Sequence, residues 1–205
     1  MDKFAIFGAS GHGRVIFDMI VSNGFIVKYI IDDNPQNKTI SKIPAISREE
    51  FLSLKDTSIC IALGVGDNFL RKNLYKFFSK MGFSLPSIIH KSAIISPSAI
   101  INEACVVMPN VVVNANALVK RGAILNTSCV LEHDCIVGEF SHLSPNSTLC
   151  GAVKVGNLSH IGAGTTIIPT KSVGDNCVVG AGSVVISDIK SNTKIVGNPA
   201  KKELR

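Results

Sequence analysis

A six-residue repeat runs through the second half of this 205-residue chain. Every sixth residue is aliphatic at sixteen consecutive positions: Ile95, Ile101, Val107, Val113, Val119, Leu125, Leu131, Val137, Leu143, Leu149, Val155, Ile161, Ile167, Val173, Val179 and Val185. On an α-helix, at about 100° per residue, these residues would scatter over three faces. Six is a multiple of the strand period of two, so all sixteen can point inward if each hexad is a short strand ending at a corner. The repeat therefore predicts a parallel β-solenoid.

The same hexads carry a second, smaller residue four positions after the aliphatic one: Ala99, Cys105, Ala117, Ala123, Cys129, Cys135, Ser141, Ser147, Ser159, Thr165, Cys177 and Ser183. Val111, Val153 and Lys171 depart from this pattern. Four of the six cysteines occupy the small position, where a thiol behaves as a small hydrophobe. We therefore expect these cysteines to lie in the interior without disulfides.

The first ninety residues follow a different pattern. Residues 4–7 predict a buried strand, which the glycine-rich turn GASGHG (Gly8 to Gly13) connects to a helical pattern. A second strand is predicted over 26–31, a short helix over 49–55, a third strand over 59–63 and an amphipathic helix over 67–81. This order predicts a Rossmann-like α/β domain with a parallel sheet over residues 1–90, followed by the solenoid over 91–205.

A glycine-rich turn before a helix lets main-chain N–H groups approach an anionic ligand, and an acid after the second strand can accept ribose hydroxyls. Ligands in open α/β sheets bind outside the carboxyl ends of the strands. The residues expected there are Ser10, Gly11, His12, Asp32, Asp33 and Gly64. The spacing is GxxGxG instead of GxGxxG, so a turn and helix cap without a ligand is the alternative.

Charge and hydropathy exclude some classes of function. The formal net charge of +6 favours anionic ligands such as phosphates, but the basic residues are scattered and rarely alternate with aromatic ones, so we expect no nucleic-acid binding. No apolar run approaches the length of a membrane span, and a strand-like segment follows Met1 at once. The expectation is a cytoplasmic protein without a signal peptide or membrane insertion.

Reactive side chains are densest in residues 126–151, NTSCVLEHDCIVGEFSHLSPNSTLCG. Glu132, His133 and Asp134 fall together at one predicted corner. Neutral imidazole takes up a proton near pH 7, and an adjacent carboxylate orients the ring and raises its basicity. The corner therefore favours general-base chemistry, with a solvated corner of mixed charge as the alternative.

The chain resembles the hexapeptide-repeat acyltransferases, whose hexads form the three flat sides of a left-handed prism with about 18 residues per coil. The resemblance alone supplies the handedness, because parallel crossovers are generally right-handed. From the residues alone, a right-handed β-helix or a solenoid without catalysis stays open. The motifs GASGHG, LNTSCVLEHDC, GEFSHLSP, IGAGTTIIP and VGNPAK are similar to sugar acyltransferases that include sialic acid O-acetyltransferases and the UDP-4-amino-sugar N-acetyltransferases of bacillosamine-type pathways.

The resemblance implies roles for individual residues. It implies that His133 is the base, that Asp134, which is Glu in some members, raises its basicity, and that Gly151 N–H donates to the thioester oxygen. It implies that His142 contacts acetyl-CoA from a neighbouring subunit. Coenzyme A contacts are implied at Ala163 and Ala181, and nucleotide-sugar contacts at the six residues named above for the first domain: Ser10, Gly11, His12, Asp32, Asp33 and Gly64.

The spacing of the histidines has two consequences if a coil has 18 residues. His133 and His142 are nine residues apart, or half a coil, so they lie on different sides of one prism and meet only across a subunit contact. This agrees with the homotrimer that the resemblance implies. His142 and His160 differ by 18 residues and should stack roughly 4.8 Å apart on adjacent coils.

These observations favour an acetyl-CoA-dependent N-acetyltransferase, without a metal, that acts on a nucleotide-linked 4-amino-6-deoxy sugar for surface glycan or glycoprotein biosynthesis. The nearest alternative is O-acetylation of sialic acid. A zinc-dependent carbonic anhydrase built on the same prism needs three histidine ligands at a subunit interface, and the chain has no close histidine pair of that kind. A non-catalytic binding protein that retains the prism is the third alternative.

Overall fold

The computed structural model describes residues 3–203, and the chain divides into two compact units, Met1–Lys91 and Ser92–Arg205. Across the described range, no helix is both long and apolar enough to cross a membrane. All six cysteines lie in this range, and no disulfide joins any of them.

The first unit contains six strands and three helices: β1 (Lys3–Phe7), α1 (Gly11–Ser22), β2 (Ile26–Ile31), β3 (Thr39–Ile40), β4 (Ile43–Ile46), α2 (Arg48–Ser53), β5 (Cys60–Leu63), α3 (Asn68–Lys80) and β6 (Ile88–Ile89). Five of the strands form a sheet in the order β3-β4-β2-β1-β5. All its pairs are parallel except β3 with β4. The predicted Rossmann-like sheet is confirmed, and its interior strand β1, between β2 and β5, is buried from Phe4 to Phe7.

Local sequence explains most of these boundaries. Asp67 caps α3, because its side chain accepts a hydrogen bond of 2.7 Å from Leu70 N–H, and Ser47 caps α2 by accepting from Glu50 N–H. The sequence analysis missed the β3–β4 hairpin. Its strands are two and four residues long, and β4 is held in the sheet by pairing with β2, which is a tertiary contact that no local pattern indicates.

The second unit is a left-handed parallel β-helix, as predicted. Sixteen strands of two residues each start six residues apart: β7 (Ile94–Ile95), β8 (Ile100–Ile101), β9 (Val106–Val107), β10 (Val112–Val113), β11 (Leu118–Val119), β12 (Ile124–Leu125), β13 (Val130–Leu131), β14 (Ile136–Val137), β15 (His142–Leu143), β16 (Thr148–Leu149), β17 (Lys154–Val155), β18 (His160–Ile161), β19 (Thr166–Ile167), β20 (Ser172–Val173), β21 (Val178–Val179) and β22 (Val184–Val185). Strands β23 (Lys194–Val196) and β24 (Lys202–Glu203) follow.

Residues 18 apart pair in parallel, so three successive strands make one coil. One face contains β7, β10, β13, β16, β19 and β22, and the next contains β8, β11, β14, β17 and β20. The third face runs through β9, β12, β15, β18, β21 and β23, where β24 adds an antiparallel edge. Each position of a coil is therefore stacked on the residue 18 positions away.

The aliphatic repeat forms the interior of the β-helix. From Val107 to Val185, each of the fourteen repeat residues is at most 2% exposed, whereas Ile95 and Ile101 in the first coil are half-buried. Fully burying one such side chain stabilises the fold by about 1.5 to 3 kcal/mol. The four cysteines predicted to face inward, Cys105, Cys129, Cys135 and Cys177, are each fully buried.

Small polar residues at the interior position close the corners. Ser141 Oγ donates to Gly156 O at 2.6 Å and accepts from Ser159 N–H at 2.9 Å. One coil later, Ser159 Oγ donates to Gly174 O and accepts from Cys177 N–H. These buried hydroxyls are therefore fully used in joining one coil to the next, which explains why the interior repeat tolerates serine.

The corners share one backbone conformation. A left-handed φ recurs three residues after each aliphatic repeat residue from Ile101 to Val179, at Ala104, Asn110, Asn116, Gly122, Ser128, Asp134, Phe140, Asn146, Ala152, Leu158, Gly164, Thr170, Asn176 and Gly182. This conformation costs a residue other than glycine roughly 1 to 2 kcal/mol. Strand pairing above and below imposes it at every corner, and Asp134 is one of the residues held in this way.

Candidate active site

The corner between β13 and β14 places a histidine and a carboxylate in direct contact. His133 Nδ1 lies 2.8 Å from Asp134 Oδ2. The two side chains are 63% and 53% exposed, so a substrate can reach both. With the Nδ1 proton donated to the carboxylate, His133 Nε2 carries the lone pair and can act as a base.

Two hydrogen bonds favour the ionised form of Asp134. The bond from His133 contributes most to lowering the pKa of Asp134 below its ordinary value, and a bond of 3.3 Å from Asn116 Nδ2 to Asp134 Oδ1 contributes next. Asn116 lies 18 residues before Asp134, at the same corner of the preceding coil. The sequence analysis missed this residue, although the 18-residue step places it beside Asp134.

Gly151 is stacked on His133 from the following coil. A Cβ atom added at Gly151 would lie 2.6 Å from His133 Nε2 and 2.8 Å from Cε1, so only glycine leaves room for the ring in this position. Within residues 3–203, the N–H groups of Cys150 and Ala152 donate to Ile167 O and His133 O, whereas Gly151 N–H donates to no main-chain acceptor. The corner thus combines a base with an unused N–H donor, the two elements that acyl transfer requires.

His142 lies on β15, on a face different from those of β13 and β14, which flank His133. Its ring stacks on that of His160 with 4.8 Å between ring centroids and a tilt of 43°, which confirms the predicted stacking. The His142 residue is 8% exposed, so a ligand can reach only its edge.

Asn126 is a hydrogen-bond neighbour of the His142 ring. Thr127 N–H donates to Asn126 Oδ1 at 2.8 Å, so the amide nitrogen of Asn126 faces His142 Nε2 at 3.0 Å and donates to it. In this arrangement His142 Nε2 is the acceptor of the Asn126 amide. The sequence analysis missed Asn126, which lies 16 residues before His142 in the chain.

Ala163 and Ala181 stack at the corner that follows β18 and β21, and both are exposed. Each lies between two glycines, in Gly162–Gly164 and Gly180–Gly182. A Cβ atom at Gly162 would lie 2.5 Å from Ala181 N, so the two coils approach each other closely here. These small residues leave a flat, open edge on the prism.

In the first unit, three glycines pack main chain against main chain where β1, α1 and β5 meet. A Cβ atom at Gly8 would lie 2.6 Å from Gly64 O, and one at Gly64 would lie 2.8 Å from Gly13 Cα. A Cβ atom at Gly13 would collide with Gly8 O. Gly11, by contrast, faces open space. Gly8 and Gly13 of the glycine-rich turn are therefore required for packing, whereas Gly11 is accessible to a ligand.

A cleft of about 360 Å³ lies at the carboxyl ends of the strands. It brings together four of the six predicted residues, Ser10, Asp32, Asp33 and Gly64, whereas Gly11 and His12 do not line it. His12 is half-buried, and burial, reinforced by the charge of Arg71, lowers its pKa from 6.5 to about 4. His12 is therefore neutral near pH 7.

Both acidic residues of the cleft already accept hydrogen bonds. Asp32 accepts from Ala9 N–H, Asn34 N–H and Lys38 Nζ at 2.7 to 2.9 Å. Burial raises the pKa of Asp32, but these three bonds together outweigh it and leave the pKa below its ordinary value. Asp33 accepts two bonds from Arg48, at 3.1 and 2.6 Å.

Two cations that the sequence analysis missed shape this region. The Arg48 guanidinium lies 5.0 Å from the centroid of the Phe7 ring and 4.9 Å from that of Phe77, which positions it to hold Asp33. Arg71 is completely buried, and its guanidinium donates to Val65 O and Gly66 O, the loop that lines the cleft after β5. No sequence pattern indicated either arginine. Arg48 binds Asp33, which is distant in the chain, and Arg71 binds main-chain carbonyl groups.

Among residues 3–203, no three or more His, Cys, Asp or Glu side chains are grouped so that they could hold a metal ion. The zinc alternative would use three histidines as ligands. Of these, His142 and His160 form a stacked pair, whereas His133 lies at a separate corner.

Comparison with known proteins gives matches along the whole chain. Residues 3–78 match the PglD N-terminal domain family. The acetyltransferase domain of PglB from Neisseria gonorrhoeae is 34% identical with a TM-score of 0.91, and the match covers 98% of this chain and 99% of that domain. PerB from Caulobacter crescentus, whose structure contains CoA and GDP-perosamine, is 34% identical with a TM-score of 0.92, over 98% of this chain and 96% of PerB.

A more distant match supports the fold alone. WeeI from Acinetobacter baumannii is 21% identical, with a TM-score of 0.89, and all of each chain is covered. The two-part architecture is thus shared by proteins whose sequences have diverged widely.

Proposed function

Because this chain belongs to the hexapeptide-repeat amino-sugar N-acetyltransferase family, we propose that it transfers the acetyl group of acetyl-CoA to the amino group of a nucleotide-linked 4-amino-6-deoxy sugar. The chain is an acetyltransferase by this membership. The observation that carries the proposal is the His133–Asp134 pair, which lies directly against Gly151.

In the proposed reaction, the sugar amine attacks the thioester carbon directly in a ternary complex. His133 Nε2 accepts the proton that the attacking nitrogen loses, while Asp134 holds the ring through Nδ1. Gly151 N–H donates to the oxyanion. The C–S bond then breaks, and the protonated His133 returns its proton to the departing thiolate. General-base assistance of this kind is typically worth about 10² to 10⁴ in rate.

We assign acceptor binding to the first unit, through Ser10, Gly11, His12, Asp32, Asp33 and Gly64. The match to the PglD N-terminal domain and the GDP-perosamine complex of PerB support a nucleotide-linked acceptor. The N-terminus of α1, which begins at Gly11, supports this assignment, because main-chain N–H groups at a helix N-terminus favour an anionic group such as a diphosphate. Since Asp32 and Asp33 already hold Lys38 and Arg48, ribose hydroxyls would have to use the remaining lone pairs of these carboxylates.

We assign acetyl-CoA binding to His142, Gly151, Ala163 and Ala181, with the neighbouring subunit of a homotrimer supplying His142. The separate faces of His133 and His142 support this arrangement. Ile94 and Ile100 support it too, because they are 67% and 58% exposed on the two faces that meet at the edge containing His133. Sedimentation should show a trimer, and an active monomer would contradict this assignment.

The decisive assay measures thiol release from acetyl-CoA in the presence of UDP-, GDP- and dTDP-linked 4-amino-6-deoxy sugars, with sialic acid as a parallel acceptor. We expect release with at least one nucleotide sugar, in keeping with a role in surface glycan or glycoprotein biosynthesis in the cytoplasm. Release with sialic acid alone would favour the O-acetyltransferase alternative. No release with any acceptor would favour a binding protein.

A further inference from the structure

Asn116 and Asp134 occupy the same corner position in successive coils. Asn116 Nδ2 donates to Asp134 Oδ1 at 3.3 Å, and the other oxygen, Oδ2, takes the bond of 2.8 Å from His133 Nδ1. Each carboxylate oxygen therefore has one side-chain donor. Rotation of the carboxylate away from His133 would break both bonds.

The main chain on both sides of this contact is fixed. Asn116 has a φ of 59°, and its N–H donates to Ser98 Oγ at 3.1 Å. Asp134 has a φ of 61°, and its N–H donates to Ala115 O at 2.9 Å. The amide of Asn116 thus projects from a rigid corner, which limits the positions that the carboxylate can occupy.

A left-handed φ alone favours asparagine, so its presence at a corner needs no catalytic explanation. Asn110 allows the backbone preference for asparagine to be separated from the contact with Asp134. It has the same φ of 59° and donates its N–H to Ser92 Oγ at the same distance of 3.1 Å, but it lies one corner earlier and makes no contact with the dyad. Asn110 is therefore a matched control for the backbone role of Asn116.

Other titratable groups lie close in the chain to the dyad or to Gly151. Glu132 precedes His133 and accepts from Asn114 Nδ2 at 3.0 Å. Cys150 lies beside Gly151 on the following coil, and burial raises the pKa of its neighbour Cys135 to about 11. Neither substitution at Asn116 nor substitution at Asn110 removes any of these groups.

We infer that Asn116 is a positioning residue for acetyl transfer, which keeps the Asp134 carboxylate directed at His133 Nδ1. The inference rests on the proposed function, because the dyad has a task only if His133 is the base. Asn116 acts through Asp134 and does not itself contact the reacting atoms. Its contribution is to keep His133 Nε2 over the main chain of Gly151.

The test compares Asn116→Gly, Asn110→Gly and Asn116→Asp. Glycine accepts the left-handed φ at both positions. The first two variants therefore lose the same kind of side chain, and they differ in whether that side chain contacts Asp134. For Asn116→Gly we expect kcat/KM to fall about three- to fivefold, and the pKa of the Asp134 carboxyl to rise by about 0.3 to 0.5 unit, as for a weak hydrogen bond. Asn110→Gly should keep both values.

Asn116→Asp places a second carboxylate beside Asp134. Like charges raise the pKa of Asp134, and the added carboxylate also favours protonated over neutral His133. We therefore expect the acid limb of the pH profile to move up, with a loss of about tenfold in kcat/KM near neutral pH. Aspartate is already accommodated at the same φ at position 134, so folding should be preserved. Equal values of kcat/KM and of the Asp134 pKa in Asn116→Gly and Asn110→Gly would overturn the inference.

A readout that does not depend on activity distinguishes this inference from the proposed function. NMR titration of the Asp134 carboxyl carbon should show a higher midpoint in Asn116→Gly than in the wild type or in Asn110→Gly. An inactive wild type with this shift would overturn the proposed function but leave the contact in place. An active wild type without the shift would overturn only the role of Asn116.

Discussion

In the first unit, Gly8, Gly13 and Gly64 come from two strand ends and a helix, and each fits against the main chain of another. In the second unit, Asn116, Asp134 and Ala152 come from one corner repeated every 18 residues. The first arrangement depends on contacts specific to three elements, whereas the second uses one backbone geometry many times. Side chains in the periodic unit can therefore be placed by counting residues, and those in the first unit cannot.

The largest effect should come from the periodic unit. His133→Ala removes the proposed base and should lower kcat by about 10² to 10⁴, with the thermal midpoint nearly unchanged, because the side chain is 63% exposed. Glu139 occupies the equivalent position of the next corner, so Glu139→Ala is a matched control that should retain activity. Undiminished turnover in His133→Ala would remove the proposed mechanism.

A second prediction separates catalytic from structural glycines within the same unit. Gly151→Ala should displace the His133 ring and lower kcat/KM by about 10² with little loss of stability, because the added Cβ meets only a side chain. In Gly138→Ala the added Cβ meets the main chain of Gly156, so the free energy of unfolding should fall by about 1 to 3 kcal/mol. Equal destabilisation of the two variants in thermal unfolding would contradict this distinction.

The first unit should respond to pH through His12. Its pKa is about 4 in the folded state and 6.5 ordinarily, so the unfolded chain binds more protons between these values. Stability should therefore rise with pH from about 4 to 6.5, by about 1 to 2 kcal/mol after allowance for partial exposure.

Hydrogen exchange of amides in residues 3–91 measures this slope, and His12→Gln should flatten it. An equal slope in the variant would assign the pH response to other groups. Amides of the β-helix serve as the internal reference, since His12 lies in the first unit.

The smallest effect is expected at Gly11. A Cβ atom there meets nothing within 4 Å, so Gly11→Ala should fold normally. If this position approaches the nucleotide sugar, the KM for that substrate should rise about three- to fivefold, while the KM for acetyl-CoA stays constant. Unchanged KM values for both substrates would exclude Gly11 from the acceptor site.

The sequence predicted the β-helix in detail because its signal is periodic. The apolar segment over 26–31 also gave β2 its observed bounds, and the amphipathic pattern over 67–81 placed α3 within one residue at each end, with Asp67 and Met81 as caps. The β3–β4 hairpin was missed because pairing with β2, and not local pattern, holds it. In the same way, the bonds from Lys38 to Asp32 and from Arg48 to Asp33 depend on tertiary contacts.

Within the site, the contact between His133 and Asp134 followed from their adjacency. Asn116 and Gly151 are 18 residues from Asp134 and His133, so the same count that predicted the His142–His160 stack also locates them. The roles assigned to His142, Ala163, Ala181 and the cleft residues stay predictions until ligands are bound.

The buried serines that join the coils bond to residues of the adjacent coil, as Ser141 does to Gly156 and Ser159. Because each coil depends only on its neighbours, these bonds set no fixed length for the β-helix. Evolution can therefore add or delete coils of 18 residues near the ends of the β-helix without displacing the remaining coils. The stretch from Asn114 to Gly151 is different, because an insertion or deletion there would separate His133 and Asp134 from the groups that contact them from the adjacent coils.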